Sequence, residues 1–152
     1  MNRATPKMRN FANRLITLEA KRNGSTAPKN ASAFPVPEKL RPTLSMLVGN
    51  AGFRTLLARA LTLATAEIPW LRGVKVNADG ALEGWEEPYV QLGPDKFLEG
   101  RVVLLAQLLG LLVAFIGESL TVRLVREVWP KLTISDLNLE KGEENEEDSK
   151  VG

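Results

Sequence analysis

The chain contains no cysteine and no histidine, and these two absences remove more chemistry than any motif in it supplies. Without cysteine there is no disulfide and no thiolate nucleophile. Without either residue, zinc sites of the usual Cys and His kinds, imidazole general bases and Ser-His-Asp triads are excluded. Carboxylate, Lys, Arg, Ser, Thr and the single tyrosine, Tyr89, are what is left for catalysis. A cysteine-free chain fits a reducing compartment. The polar stretch from Met1 to Arg9 lacks the apolar core of a secretory signal, so the expected location is cytoplasmic, with membrane as the alternative. Aromatic residues make up only 6% of the chain, which leaves few rings for stacking on bases.

Charge is present in quantity but unevenly placed. From Met1 to Arg41 there are nine Lys or Arg against two acids, from Pro42 to Leu139 nine against ten, and from Glu140 to Gly152 two against six. The expected organisation follows that layout. Residues 1–42 form a basic arm and Pro-rich linker, largely flexible with a short amphipathic helix; residues 43–139 form a helical domain; residues 140–152 form an acidic tail too charged to bury anything. With 152 residues, the chain fits one domain with tails.

In the arm, Thr5 before Pro6 predicts a helix start, with Thr as N-cap and Pro at the first helical position. Met8, Phe11, Ala12, Leu15 and Ile16 recur at helical spacing, and Lys7, Arg9, Arg14, Lys21 and Arg22 decorate the remainder. The stretch from Gly24 to Pro42 holds Pro28, Pro35, Pro37 and Pro42 among small polar residues and reads as a semi-extended linker. In the body, Phe53, Leu56, Leu57, Ala60, Leu61 and Ala64 form one helical stripe that Ile68-Pro69 terminates. Val74 to Asn77, the turn Ala78-Asp79-Gly80 and Ala81 to Trp85 predict a hairpin. Glu86 to Gly93 reads as loop, Pro94-Asp95 as the opening of a helical segment, and Gly100 as a kink before a long helix from Arg101 to Trp129. The fold class is therefore mainly α: a small helical domain with an amphipathic helix, a short β-hairpin, a long apolar helix and flexible termini.

Val102 to Ile116 is the most constraining stretch, fifteen positions without a charge and with Gln107 as the one polar side chain. Such a helix needs cover from a core, a second copy or lipid. Its Gln107, Gly110, Ala114 and Glu118 form a row of small or polar residues suited to close packing on the helix from Phe53 to Glu67. Leu105, Leu108, Leu109, Leu112, Phe115 and Ile116 then point outward, roughly 10 kcal/mol of apolar surface seeking cover. A copy of the same helix is the simplest cover, since two-fold pairing is the commonest assembly. Alternatives are a monomer that covers the row itself, and a short transmembrane segment over 102–120, the latter weakened by Glu118 within it and by Gln107 near its centre.

Candidate chemistry is sparse. Glu118, at the end of the apolar run, is a candidate desolvated acid, or else a partner for Arg54 or Arg59. Arg123 and Glu127 are spaced for a surface pair. Glu86-Glu87 and Asp95 with Glu99 read as solvated acids rather than a metal pair. Gly49-Asn50-Ala51-Gly52 superficially resembles a phosphate-cradling turn but lacks the following Lys-Ser/Thr. No catalytic residue, metal ligand or cofactor is expected. The functional expectation is a non-enzymatic interaction or regulatory protein that self-associates through the long apolar helix and contacts an acidic partner through Lys7, Arg9, Arg14, Lys21 and Arg22. That partner can be a protein, an anionic membrane or the chain's own acidic tail. A membrane-anchored protein and a non-specific nucleic-acid binder are the alternatives, the second limited because Phe11 is the one ring available for stacking.

Overall fold

The computed structural model describes residues 4–22 and 34–132. Helix α1 (Pro6–Arg22) begins where the Thr-Pro pair predicts. The Thr5 hydroxyl accepts the Met8 N–H at 3.2 Å and the Thr5 carbonyl accepts the Arg9 N–H at 2.9 Å, the geometry of an N-cap. The helix is packed rather than free. Phe11, Ala12 and Leu15 are buried, and α1 runs along the apolar helix of the body.

Helix α2 (Pro35–Glu67) starts well before the boundary expected at residue 43. Prolines at positions 35 and 37 sit in its first turn, where their missing N–H groups have no helical acceptor to lose. Val36, Pro37, Leu40 and Leu44 are buried at helical spacing. The part of the expected linker from residue 23 to 33 lies outside the described residues, as does everything from 133 onward, the acidic tail included.

Beyond α2, a 3-10 turn (Pro69–Gly73) leads to the hairpin. Strands β1 (Lys75–Val76) and β2 (Leu82–Glu83) pair antiparallel, Lys75 opposite Glu83 and Val76 opposite Leu82. The Asn77 side-chain oxygen accepts the N–H groups of Asp79 and Ala81 at 2.9 and 3.0 Å, so an Asx turn closes the hairpin. Residues expected as loop form helix α3 (Glu86–Leu92), with Glu86 and Glu87 in its first turn.

Helix α4 (Pro94–Ile116) opens on the predicted proline and is not kinked at Gly100. That glycine is a seat for the Trp70 indole. A Cβ built there would lie 2.2 Å from the ring, so only glycine allows the approach. Val103 to Leu109 are seven consecutive buried positions, which places the middle of α4 inside the body on every side. Helices α2 and α1 lie along it, and its chain neighbours α3 and α5 (Glu118–Val128) complete the cover.

The single helix expected from Arg101 to Trp129 is thus two. Gly117 separates them with φ 91 and ψ 159, and α2 bends at Gly49 with φ 84 and ψ 161. Side chains almost never adopt these dihedrals, and a Cβ at either position would meet nothing within 4 Å. Backbone conformation alone is therefore what requires glycine there. Gly117→Ala is expected to destabilise the fold by about 1–3 kcal/mol, measured by urea denaturation, while the circular dichroism of the folded state stays helical.

Candidate functional site

The leucine row expected on the outside is inside. Leu105, Leu108, Leu109 and Leu112 are all buried within the chain's own core. Of the six residues expected on a self-association face, only Phe115, 68% exposed, and the half-buried Ile116 reach the surface. The physical reason is α1: treated as a free arm in the sequence, it supplies the layer that covers α4. The small-residue row is correspondingly turned. Gln107 is buried at its front, but Gly110 is half-exposed with open space where a side chain would stand, and Ala114 is exposed. The far end of α4 therefore presents Gly110, Leu111, Ala114 and Phe115 as a mainly apolar strip.

Two carboxylates hold α1 in place. Glu67, at the end of α2, has a side chain only 5% exposed. It accepts the backbone N–H of Ala4 at 2.8 Å, the Arg9 guanidinium at 2.5 Å and the Gln107 amide at 2.9 Å, so one group ties α1, α2 and α4 together. Burial pushes its carboxyl up, but the Ala4 N–H, Gln107 and Arg9 together more than reverse this and hold it below its ordinary value of 4.5. At the other end of α1, the buried Glu19 accepts the Trp129 indole N–H at 3.0 Å and pairs with Lys39 at 2.7 Å. That joins α1 to the start of α2 and to the residue that closes α5.

A carboxyl held below its ordinary value stabilises the fold above that value, and the contribution is lost as pH falls through the depressed one. Glu67→Gln is accordingly expected to cost about 1–3 kcal/mol at pH 7 and progressively less below pH 4.5, so that the two stability profiles converge in acid. Denaturation at a series of pH values checks this.

Arg101, the residue that merely bounded the apolar run in the sequence, is 7% exposed. Its guanidinium carbon lies 4.6 Å from the Phe34 ring centre, 4.5 Å from Trp85 and 4.6 Å from Phe97. Trp70 stacks on Phe97 at 5.9 Å and Tyr89 meets it edge-on at 5.0 Å. Burial lowers the Arg101 pKa to about 10, which keeps it charged at neutral pH. The box attracts the cation through ring quadrupoles. Arg101→Lys, which keeps the charge but loses the flat face, is expected to cost about 1–2 kcal/mol and to change tryptophan emission in the folded state.

The basic residues separate into two groups. Arg9 is turned inward on Glu67. Lys7, half-buried, and the exposed Arg14 and Lys21 stand seven residues apart and share one face of α1. Arg22 belongs to the last turn of the same helix. Phe11 is buried, which removes the ring considered for base stacking.

The remaining candidates are accounted for locally. Glu118, Glu86, Glu87 and Asp95 each lie in the first turn of a helix, where a negative charge meets the positive end of the backbone dipole. Neither Glu118 with Arg54 or Arg59, nor Arg123 with Glu127, forms an ion pair. Those joining described residues are Arg9 with Glu67, Lys39 with Glu19 and Arg41 with Glu38. The Gly49-Asn50-Ala51-Gly52 segment is the bend in α2. Beside it, Arg41, Asn50, Arg54 and Asp79 line a shallow recess of about 490 Å³. Arg41 is already committed there to Glu38 and to the Asp79 carbonyl. Among the described residues no cluster of three or more potential metal ligands occurs.

Glu19, Glu67 and Arg101 were not legible as a set. Glu19 does continue the apolar face of α1 one turn beyond Leu15, a pattern that marks a charge facing a core. The partners of Glu67 and Arg101 are remote in sequence. Comparison of the chain with protein-family models, with curated proteins and with solved structures finds no match.

Proposed function

We propose that this chain is a non-enzymatic interaction protein that self-associates through the exposed end of α4 and offers the basic row of α1 to an acidic partner. The observation that carries the first half is Phe115, a large ring 68% exposed at the end of the apolar helix α4, beside the open strip at Gly110, Leu111 and Ala114. Exposed aromatic anchors on apolar strips are the usual centres of protein contacts. The self-association face is accordingly smaller than the one first expected, because four leucines of that row are committed to the fold. In keeping with a non-catalytic role, the carboxylates of Glu19 and Glu67 are both occupied by donors from their own chain.

For the second half, Lys7, Arg14 and Lys21 form a row whose end members are 14 residues apart, about 21 Å along the helix. A row of that length engages an extended acidic surface and gives binding that weakens with salt.

Sedimentation or light scattering of the full chain tests the self-association directly. The wild type is expected to be a dimer, and Phe115→Glu a monomer with unchanged circular dichroism and a melting temperature within a few degrees. A monomeric wild type at concentrations up to the hundred-micromolar range overturns this half of the reading.

A further inference from the structure

We infer that α1 is a removable cover, and that an anionic lipid surface is the acidic partner that takes it off α4. The inference rests on the reading of α1 above as the contact for an acidic partner, and names that partner. Two features of the structure meet in one helix. Along one side α1 carries a row of half-buried Lys7 and exposed Arg14 and Lys21. On its inner side it carries Phe11, Ala12 and Leu15, with Met8, Ile16 and Leu18 partly buried beside them. A basic row flanking an apolar face is what an interfacial helix needs: cations for the headgroups and side chains for the acyl boundary.

The surface that α1 leaves behind is equally suited to lipid. Helix α4 has 23 residues and is, by length and composition, apolar enough for a bilayer. Its leucines are buried in the closed form because α1 and α2 lie along it. Nucleic acid would use the basic row but offers nothing to the apolar face of α1 or to α4, whereas a bilayer satisfies all three. Polar clamps at both ends of α1 give the closed form a definite position. Arg9 and the Ala4 N–H meet Glu67 at one end, and Glu19 meets Lys39 and Trp129 at the other. Such contacts are exchangeable for water or headgroup contacts when the helix lifts.

The absence of cysteine permits a direct test on the full chain. Asn13 on α1 and Thr62 on α2 are both exposed, so Asn13→Cys with Thr62→Cys accepts a pair of spin labels without touching the core. Vesicles of phosphatidylcholine with a quarter phosphatidylserine are compared with pure phosphatidylcholine by flotation, and the label separation is read by double electron–electron resonance. Expected results are flotation with the anionic vesicles alone, reduced at least tenfold by high salt or by Lys7→Glu with Lys21→Glu. A longer, broader label distance should appear only in the bound fraction. No flotation, equal flotation with neutral vesicles, or flotation with an unchanged label distance overturns the inference, as does lengthening caused by dimerisation without vesicles. A poly-glutamate peptide separates the two levels. Binding to it in the absence of vesicle binding retains the acidic-partner reading and discards lipid, while binding to neither discards both.

Discussion

Seven consecutive buried positions leave the middle of α4 without a face for solvent, and the architecture follows from the need to surround it. An isolated helix of this composition would expose several leucines at about 1.5–3 kcal/mol each. Helices α2 and α1 provide most of the cover, and α3 and α5 pack onto it from its two chain ends. The short hairpin cannot stand alone in water. Its Leu82 and the adjoining Val74 are buried in the same core, so it is held by the helices rather than the reverse.

Hydrophobic burial surrounds α4 without fixing where each surrounding helix stops along it. The polar contacts supply that register. Glu67 accepts from α1 and α4 together, and a sliding α1 would leave a carboxylate desolvated and unpaired, which is far costlier than a slipped leucine. Glu19 does the same at the opposite end of α1. Trp70 locked over Gly100 fixes the approach of the 3-10 turn to α4. The backbone bends at Gly49 and Gly117 let long apolar segments fold back within one small body.

Much of this was legible. The helical stripe of α2 from Phe53, the hairpin, the Thr-Pro start of α1 and the proline opening of α4 each rest on local chemistry, and each is found where the residues place it. What the sequence hid was of two kinds. Prolines 35, 37 and 42 among small polar residues mask the apolar spacing of Val36, Leu40 and Leu44, so the first half of α2 reads as linker. The second kind is tertiary: the periodicity of α4 shows that it must be covered but not by what. Assigning α1 to a free arm left a leucine row outside that the fold places inside. Gly117 falls inside the helix expected from Arg101 to Trp129, because a positive φ is invisible until the chain is seen to turn. Of the candidate site, the basic row of α1 and Phe115 were readable, whereas the clamps and the aromatic box depend on residues brought together from distant positions.

The guanidinium enclosed by Phe34, Trp85 and Phe97 also sets a ruler on α4. Arg101 is a permanent cation eight residues into the helix, and a charge of that kind stays at headgroup depth in any lipid-facing pose. The uncharged remainder from Val102 to Ile116 is fifteen residues, about 22 Å of helix, against a hydrocarbon slab of about 30 Å. Measured from its charge, the uncharged part of α4 is shorter than that slab is thick.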